Sequence, residues 1–193
     1  MGFGNNYNKL WAYFEEQVQP IYTKLNKTLV CWQELALDIG FYSLPAGAIS
    51  QAWESTGALY EIIQSGYYGL LSAGWYLDQQ IPNPQQTWYE WEDTWWNFYM
   101  NEPLAGHPWT PEQSSKVLGG EICMWGEQVD DTNFHSRVFP RAFGAAERLW
   151  SLASYNSTTE ATPRLGAFRC MLVGRGLQSG PLYPDYCPSV YRQ

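Results

Sequence analysis

Basic and imidazole side chains are scarce in this sequence. Eleven Lys and Arg stand against nineteen Asp and Glu, a formal net charge of −8, and there are only two His. So acidic a chain has no basic patch with which to displace counterions, and nucleic acid is not an expected partner. The four Cys, Cys31, Cys123, Cys170 and Cys187, have no His neighbours at zinc-ligand spacing. Neither a metal nor a cofactor is expected. No apolar run reaches the length of a membrane span. The opening stretch MGFGNNYNKLW lacks the charged-then-apolar order of a signal peptide, and Asn6 stands where a myristoylation signal wants Ser or Thr.

Aromatic side chains are abundant instead. Eleven Trp and fourteen Tyr bring the aromatic share to 17%, more than a 193-residue core needs. Flat apolar rings with polar tips suit either a core unusually rich in aromatics or an amphipathic ligand. Cys31 and Cys123 lie in the apolar runs TLVCW and EICMW and read as buried free thiols. Cys170 and Cys187 bracket a Gly- and Pro-rich tail. A disulfide between them would contribute about 3 kcal/mol on the loop-entropy account. Two glycosylation sequons, at Asn26 and Asn156, fit the same oxidising, secretory setting.

Residues 7 to 23 read as an amphipathic helix, with Tyr7, Leu10, Trp11, Phe14, Val18 and Ile21 at three- and four-residue steps. TLVCW, AISQAW and YGLLSAGWYL read as buried strands, and KVLGGEICMW as a fourth. Ser55 caps a helix through Leu59, Ile62 and Ile63 that ends at Gly66. Pro82 to Trp109 reads as an extended aromatic excursion. Pro140 suits a helix start, with Phe139, Phe143, Ala146 and Trp150 along one face. A last helix is expected from Thr162-Pro163, carrying Leu165, Phe168, Met171 and Leu172 and ending by Gly174 and Gly176. Apolar strands alternating with helices imply an α/β fold with a parallel sheet. Four strands, beginning after a helix, read as the C-terminal half of a (β/α)8 TIM barrel, one partial domain over residues 1–193.

The ends of these strands share a chemistry. The first offers Trp32 with Gln33 and Glu34, the second Trp53, the third Trp75, Tyr76 and Asp78, the fourth Trp125 and Glu127. Such an aromatic rim with carboxylates is what a sugar ring needs: its C–H faces stack on indole and its hydroxyls donate to carboxylates.

The stretch LGGEICMWGEQVDDTNFHSRVFPRAFGAAERLW, with LVCWQE, LLSAGWYLD and WNFYMNEP, resembles the signature of the glycoside hydrolase family 20 β-N-acetylhexosaminidases. The resemblance runs in the family's order from near residue 2 to near residue 190. It implies removal of terminal β-linked N-acetylglucosamine or N-acetylgalactosamine with retention, the substrate's own acetamido oxygen serving as nucleophile. By motif match Trp32, Trp53 and Trp125 would wall the acetamide pocket, with Trp75 on the same rim. Tyr76 would donate to the acetamido oxygen, and Asp78 and Glu127 would accept from the sugar's 4- and 6-hydroxyls. Cys170 and Cys187 match the spacing of a C-terminal disulfide in animal-type members. A lysosomal or secreted enzyme, homo- or heterodimeric at full length, is also implied.

The family's adjacent Asp-Glu catalytic pair, its sugar-clamping Arg and its His near the acid find no match here. Glu15-Glu16 lies in a helix, Asp130-Asp131 follows the fourth strand, and WED (Trp91 to Asp93) is unmatched. His107 and His135 read as loop or surface residues, and Glu121 as structural. The chain is therefore expected to carry the binding half of an active site, inactive alone. The alternatives are a catalytically dead sugar-binding protein and a half-enzyme assembling with a partner chain.

Overall fold

The computed structural model describes residues 2–40, 42–78 and 95–187. In chain order the elements are α1 (Tyr7–Lys24), β1 (Val30–Trp32), α2 (Gln33–Leu37), β2 (Ile49–Ala52), α3 (Thr56–Gln64), β3 (Tyr68–Leu71), α4 (Trp95–Met100), α5 (Pro111–Lys116), β4 (Val117–Gly120), α6 (Phe134–Val138), α7 (Arg141–Trp150) and α8 (Thr158–Gly174). They divide into two compact units. The first comprises the chain up to Ala73 together with Pro103–Gly120, the second Gly74–Glu102 together with the chain from Glu121 onward.

The first unit holds a four-stranded sheet in the order β1-β2-β3-β4. All three pairings are parallel, Val30 opposite Ile49 and Ile49 opposite Tyr68, with a register shift between Gly69 and Leu71 where β4 joins. Sequential parallel strands linked through helices are the connectivity of a (β/α) barrel. The Ser55 cap forms, its side chain accepting from the Ala58 N–H at 3.1 Å. Leu59, Ile62 and Ile63 are buried on α3. Gly69 lets that helix lie close on β3, since a Cβ there would sit 2.4 Å from Leu59 Cδ1.

Several expectations are corrected in this unit. Of the helix near residues 7 to 23, only Ala12 is buried, and Tyr7, Leu10, Trp11, Phe14 and Ile21 are exposed. Cys31 is half-buried, though the surrounding protein still pushes its thiol up to about 11. The fourth strand stops at Gly120 and does not extend through EICMW. Gly119, inside the strand, takes φ +120° at the register shift opposite Gly69–Leu71, an angle that a side chain would resist.

The second unit packs α4 and α7 together with α8. Trp95, Tyr99, Phe143, Ala161, Leu165 and Leu172 form its core. The buried face of α7 carries Arg141, Ala142, Ala145 and Arg148, whereas Ala146 is exposed and Trp150 is 92% exposed. Small residues win that face because α4 lies against it. A Cβ on Gly144 would sit 2.4 Å from the Trp95 carbonyl oxygen and 3.1 Å from the Tyr99 nitrogen. The last helix begins at Thr158, ahead of the expected Thr162-Pro163, because Ser157 caps it by accepting from the Glu160 N–H at 3.3 Å. Pro163 sits inside the helix. Cys170 and Cys187 are joined in a disulfide with their Cα atoms 5.2 Å apart. The aromatic excursion contains α4, and the WED stretch lies outside the described residues.

Two outcomes follow from this packing. Gly144→Ala should cost about 1–3 kcal/mol, because the obstacle is backbone and cannot rotate away, and urea unfolding would read the loss. The second concerns the edge strands β1 and β4, where Val30 and Leu118 are 53% and 50% exposed. Apolar open edges template pairing, so the chain on its own should dimerise or aggregate at low concentration. A monodisperse 22.2 kDa species in light scattering, unfolding cooperatively, would rule that out.

Candidate active site

In the first unit, β1 ends at Trp32 and α2 begins at once with Gln33. The Gln33 side chain is buried, and both its carbonyl and its amide are hydrogen-bonded. Its carbonyl oxygen accepts from the backbone N–H groups of Trp53 and Glu54, at 3.0 and 3.2 Å. Its amide donates to the Glu54 carboxylate at 2.6 Å. One side chain thereby ties the end of β1 to the end of β2. The Trp53 indole N–H donates to the Glu34 carboxylate at 2.5 Å, which fixes the ring plane. Trp32 and Trp53 remain exposed, so both present indole surface to solvent.

In the second unit, Tyr76 forms a strand-like bridge, and the chain bends at Leu77 and Asp78. Cys123 donates its N–H to the Trp75 carbonyl at 2.9 Å, and Leu77 donates to the Cys123 carbonyl at 2.8 Å, leaving Tyr76 and Cys123 as an isolated parallel bridge. Side chains about such a bridge alternate between faces. Trp75 and Leu77 are accordingly buried at 0% and 2% exposure, while Tyr76 and Asp78 are only half-buried. This corrects the rim assignment of Trp75: it is a core residue whose indole N–H donates to the Phe98 carbonyl at 2.9 Å.

Tyr76 and Asp78 share the opposite face. The Asp78 carboxylate accepts the Trp125 backbone N–H at 3.2 Å, which brings the Trp125–Glu127 stretch beside it. Trp125 and Glu127 are exposed. Burial holds the Asp78 carboxyl above its ordinary value; the N–H donation from Trp125 and the Arg141 charge oppose that, and Glu127 adds to it. Glu121 lies at the surface, where its carboxylate accepts the Cys123 thiol at 3.8 Å.

Beneath this segment lie two arginines that sequence reasoning passed over. Arg137 donates to the Asp78 carbonyl at 3.2 Å. Arg141 donates to the Leu77 carbonyl and, at 2.7 Å, to the Arg137 carbonyl. Both are buried. The detectable signal was RVFPRAF, two guanidinium groups inside an otherwise apolar helical run. Glu54 was likewise missed.

Each unit thus offers exposed indole beside carboxylate, the second adding a half-buried phenol. Among the described residues no group of three or more His, Cys, Asp or Glu is placed to hold a metal ion. Nor is any helix there long and apolar enough to cross a membrane.

Residues 2–153 match the catalytic domain of glycosyl hydrolase family 20. The chain belongs to this family. It is 43% identical over 188 residues to beta-hexosaminidase subunit A1 of Dictyostelium discoideum, covering 97% of this chain and 34% of that protein. It is 36% identical over 189 residues to beta-hexosaminidase subunit beta of Rattus norvegicus, covering 96% of this chain and 33% of that protein. Among solved structures, a mutant Streptomyces plicatus beta-hexosaminidase in complex with product (GlcNAc) superposes with a TM-score of 0.74 at 26% identity, covering 93% of this chain and 38% of that one. The Flavobacterium johnsoniae chitobiase gives 0.72 at 29% identity, over 89% and 25%. The chain spans about a third of the length of the curated relatives it matches. Its four parallel strands with helices are part of the family's TIM-barrel architecture.

The raised Asp78 carboxyl has a measurable consequence. The folded state binds this proton more tightly than the unfolded chain does. Its contribution to stability is complete below the ordinary value of 3.8 and is lost as pH rises through the folded value. Asp78→Asn keeps an oxygen for the Trp125 N–H but carries no charge. Relative to the parent, the variant should therefore be stabilised at neutral pH, and the advantage should vanish below the ordinary value. Thermal melts across that range check it, and a gap of constant size would contradict the assignment.

Proposed function

We propose that this chain supplies the sugar-binding part of a β-N-acetylhexosaminidase active site, acting on terminal β-linked N-acetylhexosamines as part of a larger enzyme. The observation carrying the reading is the face shared by Tyr76 and Asp78, with Asp78 holding the Trp125 backbone. Trp32, Trp53 and Trp125 would box the acetamide. The Tyr76 hydroxyl would donate to its oxygen, and Asp78 and Glu127 would accept from the 4- and 6-hydroxyls of the sugar.

Substrate-assisted chemistry then asks little more of these residues. The acetamido oxygen forms a bond to the anomeric carbon as the glycosidic C–O bond breaks, and water later opens the ring so formed with net retention. Excluding water from the acetamide and aiming its oxygen are tasks for indole walls and one phenol. Protonating the leaving oxygen needs a general acid, and the family's Asp-Glu pair has no counterpart in this sequence. A missing general acid alone costs about 10²–10⁴ in rate.

The relatives are named as subunits, which supports assembly into a dimer. A lysosomal or secreted setting is supported by the Cys170–Cys187 disulfide and by exposed Asn26 and Asn156, both open to glycosylation.

The pure chain should show no turnover of a chromogenic β-N-acetylglucosaminide, yet N-acetylglucosamine should perturb its tryptophan fluorescence. Turnover abolished by Tyr76→Phe would mean that an acid lies within these residues. Unchanged fluorescence at millimolar sugar would sink the binding role.

A further inference from the structure

The segment bearing Tyr76 and Asp78 lies outside the named strands. Among the described residues its strand-like pairing is a single bridge to Cys123. One bridge does not by itself fix the backbone beyond Leu77 or the direction of the Asp78 side chain. The carbonyls of Leu77 and Asp78 instead accept from two guanidinium groups. Arg141 reaches the Leu77 carbonyl, and Arg137 reaches the Asp78 carbonyl at 3.2 Å. Arg141 also holds the Arg137 carbonyl through Nη2 at 2.7 Å and Nε at 3.1 Å. The contacts close into a ring: Leu77, Asp78, Arg137, Arg141 and back to Leu77. Arg141 is further fixed over the Phe98 ring, 5.4 Å from its centroid.

We infer that Arg137 and Arg141 are positioning residues that set the direction of Tyr76 and Asp78 by gripping the main chain between and after them. The functional consequence rests on the sugar-binding reading above; the grip itself does not. Both side chains are 3% exposed, so neither can meet a sugar and each acts only through the segment above it. Arginine is specifically suited to this. Its planar fork offers several donors in fixed directions and cannot be deprotonated in the physiological range. A lysine ammonium at position 141 could not serve the Leu77 and Arg137 carbonyls in the same geometry while lying flat over Phe98.

The test compares the full chain with Arg141→Lys and Arg137→Lys, using amide hydrogen exchange and sugar-induced fluorescence. The amides that report the segment are Leu77 and Cys123, which pair across the bridge, and Trp125, bound to Asp78. Arg141→Lys should speed their exchange and weaken N-acetylglucosamine binding by about tenfold each, with the α7 amides near Ala145 unchanged. Arg137→Lys should affect Trp125 most, because it loosens Asp78 directly. Exchange at Leu77, Cys123 and Trp125 that matches the parent in both variants would overturn the inference. So would a uniform rise throughout α7, which marks ordinary core support. If the parent itself binds no sugar, the sugar-binding reading fails while the exchange rates still decide the clamp.

Discussion

Alternation of side chains between two faces is the constraint on which the candidate site depends. Between Trp75 and Asp78 the chain must place two large side chains in a core and two polar ones on the opposite face. Trp75 and Leu77 take the core, fully enclosed. Tyr76 and Asp78 are thereby forced together on the other side, where the Trp125 main chain meets Asp78. A shift of one residue would bury a carboxylate and a phenol and would expose an indole and an isobutyl group. The pairing with Cys123 opposes such a shift, and the guanidinium donors to Leu77 and Asp78 add to it.

That constraint also shows why parts of the molecule were legible in the sequence and others were not. Apolar runs marked all four strands, and Ser55 marked the start of α3, because both signals are local. Tyr76 and Asp78 were drawn from the same string as Trp75, but a strand end gives no sign of which parity faces the core. Only the neighbours decide it, here the Phe98 carbonyl that satisfies the Trp75 indole. The start of α8 was misjudged for a different reason. Two start signals competed, Pro163 and the Ser157-to-Glu160 spacing, and the cap prevailed.

The face of α7 reveals a third limit. Hydrophobicity ranks Phe139, Phe143, Ala146 and Trp150 as the inward stripe, yet Trp150 is almost wholly in solvent. Close approach of α4 rewards absence of side chain over apolar area, and Gly144 with its alanine neighbours supplies that. The two arginines on the same stretch then occupy buried positions that sequence rules reserve for aliphatic groups; main-chain carbonyls of Leu77, Asp78 and Arg137 accept from them, although Arg137 Nη2 finds no partner among the described residues.

The two states of cysteine bear on how the chain can oxidise. Four cysteines allow three complete pairings, and an oxidising lumen would sample them all in an unfolded chain. Folding of the sheet half-covers Cys31 and keeps its thiol protonated well above neutral pH. Pairing with Trp75 and Leu77 buries Cys123. A protonated, sheltered thiol is a poor nucleophile toward a disulfide. Once these strands have formed, Cys170 and Cys187 are left with each other, and scrambling through the remaining two sulfurs is shut off by the fold itself.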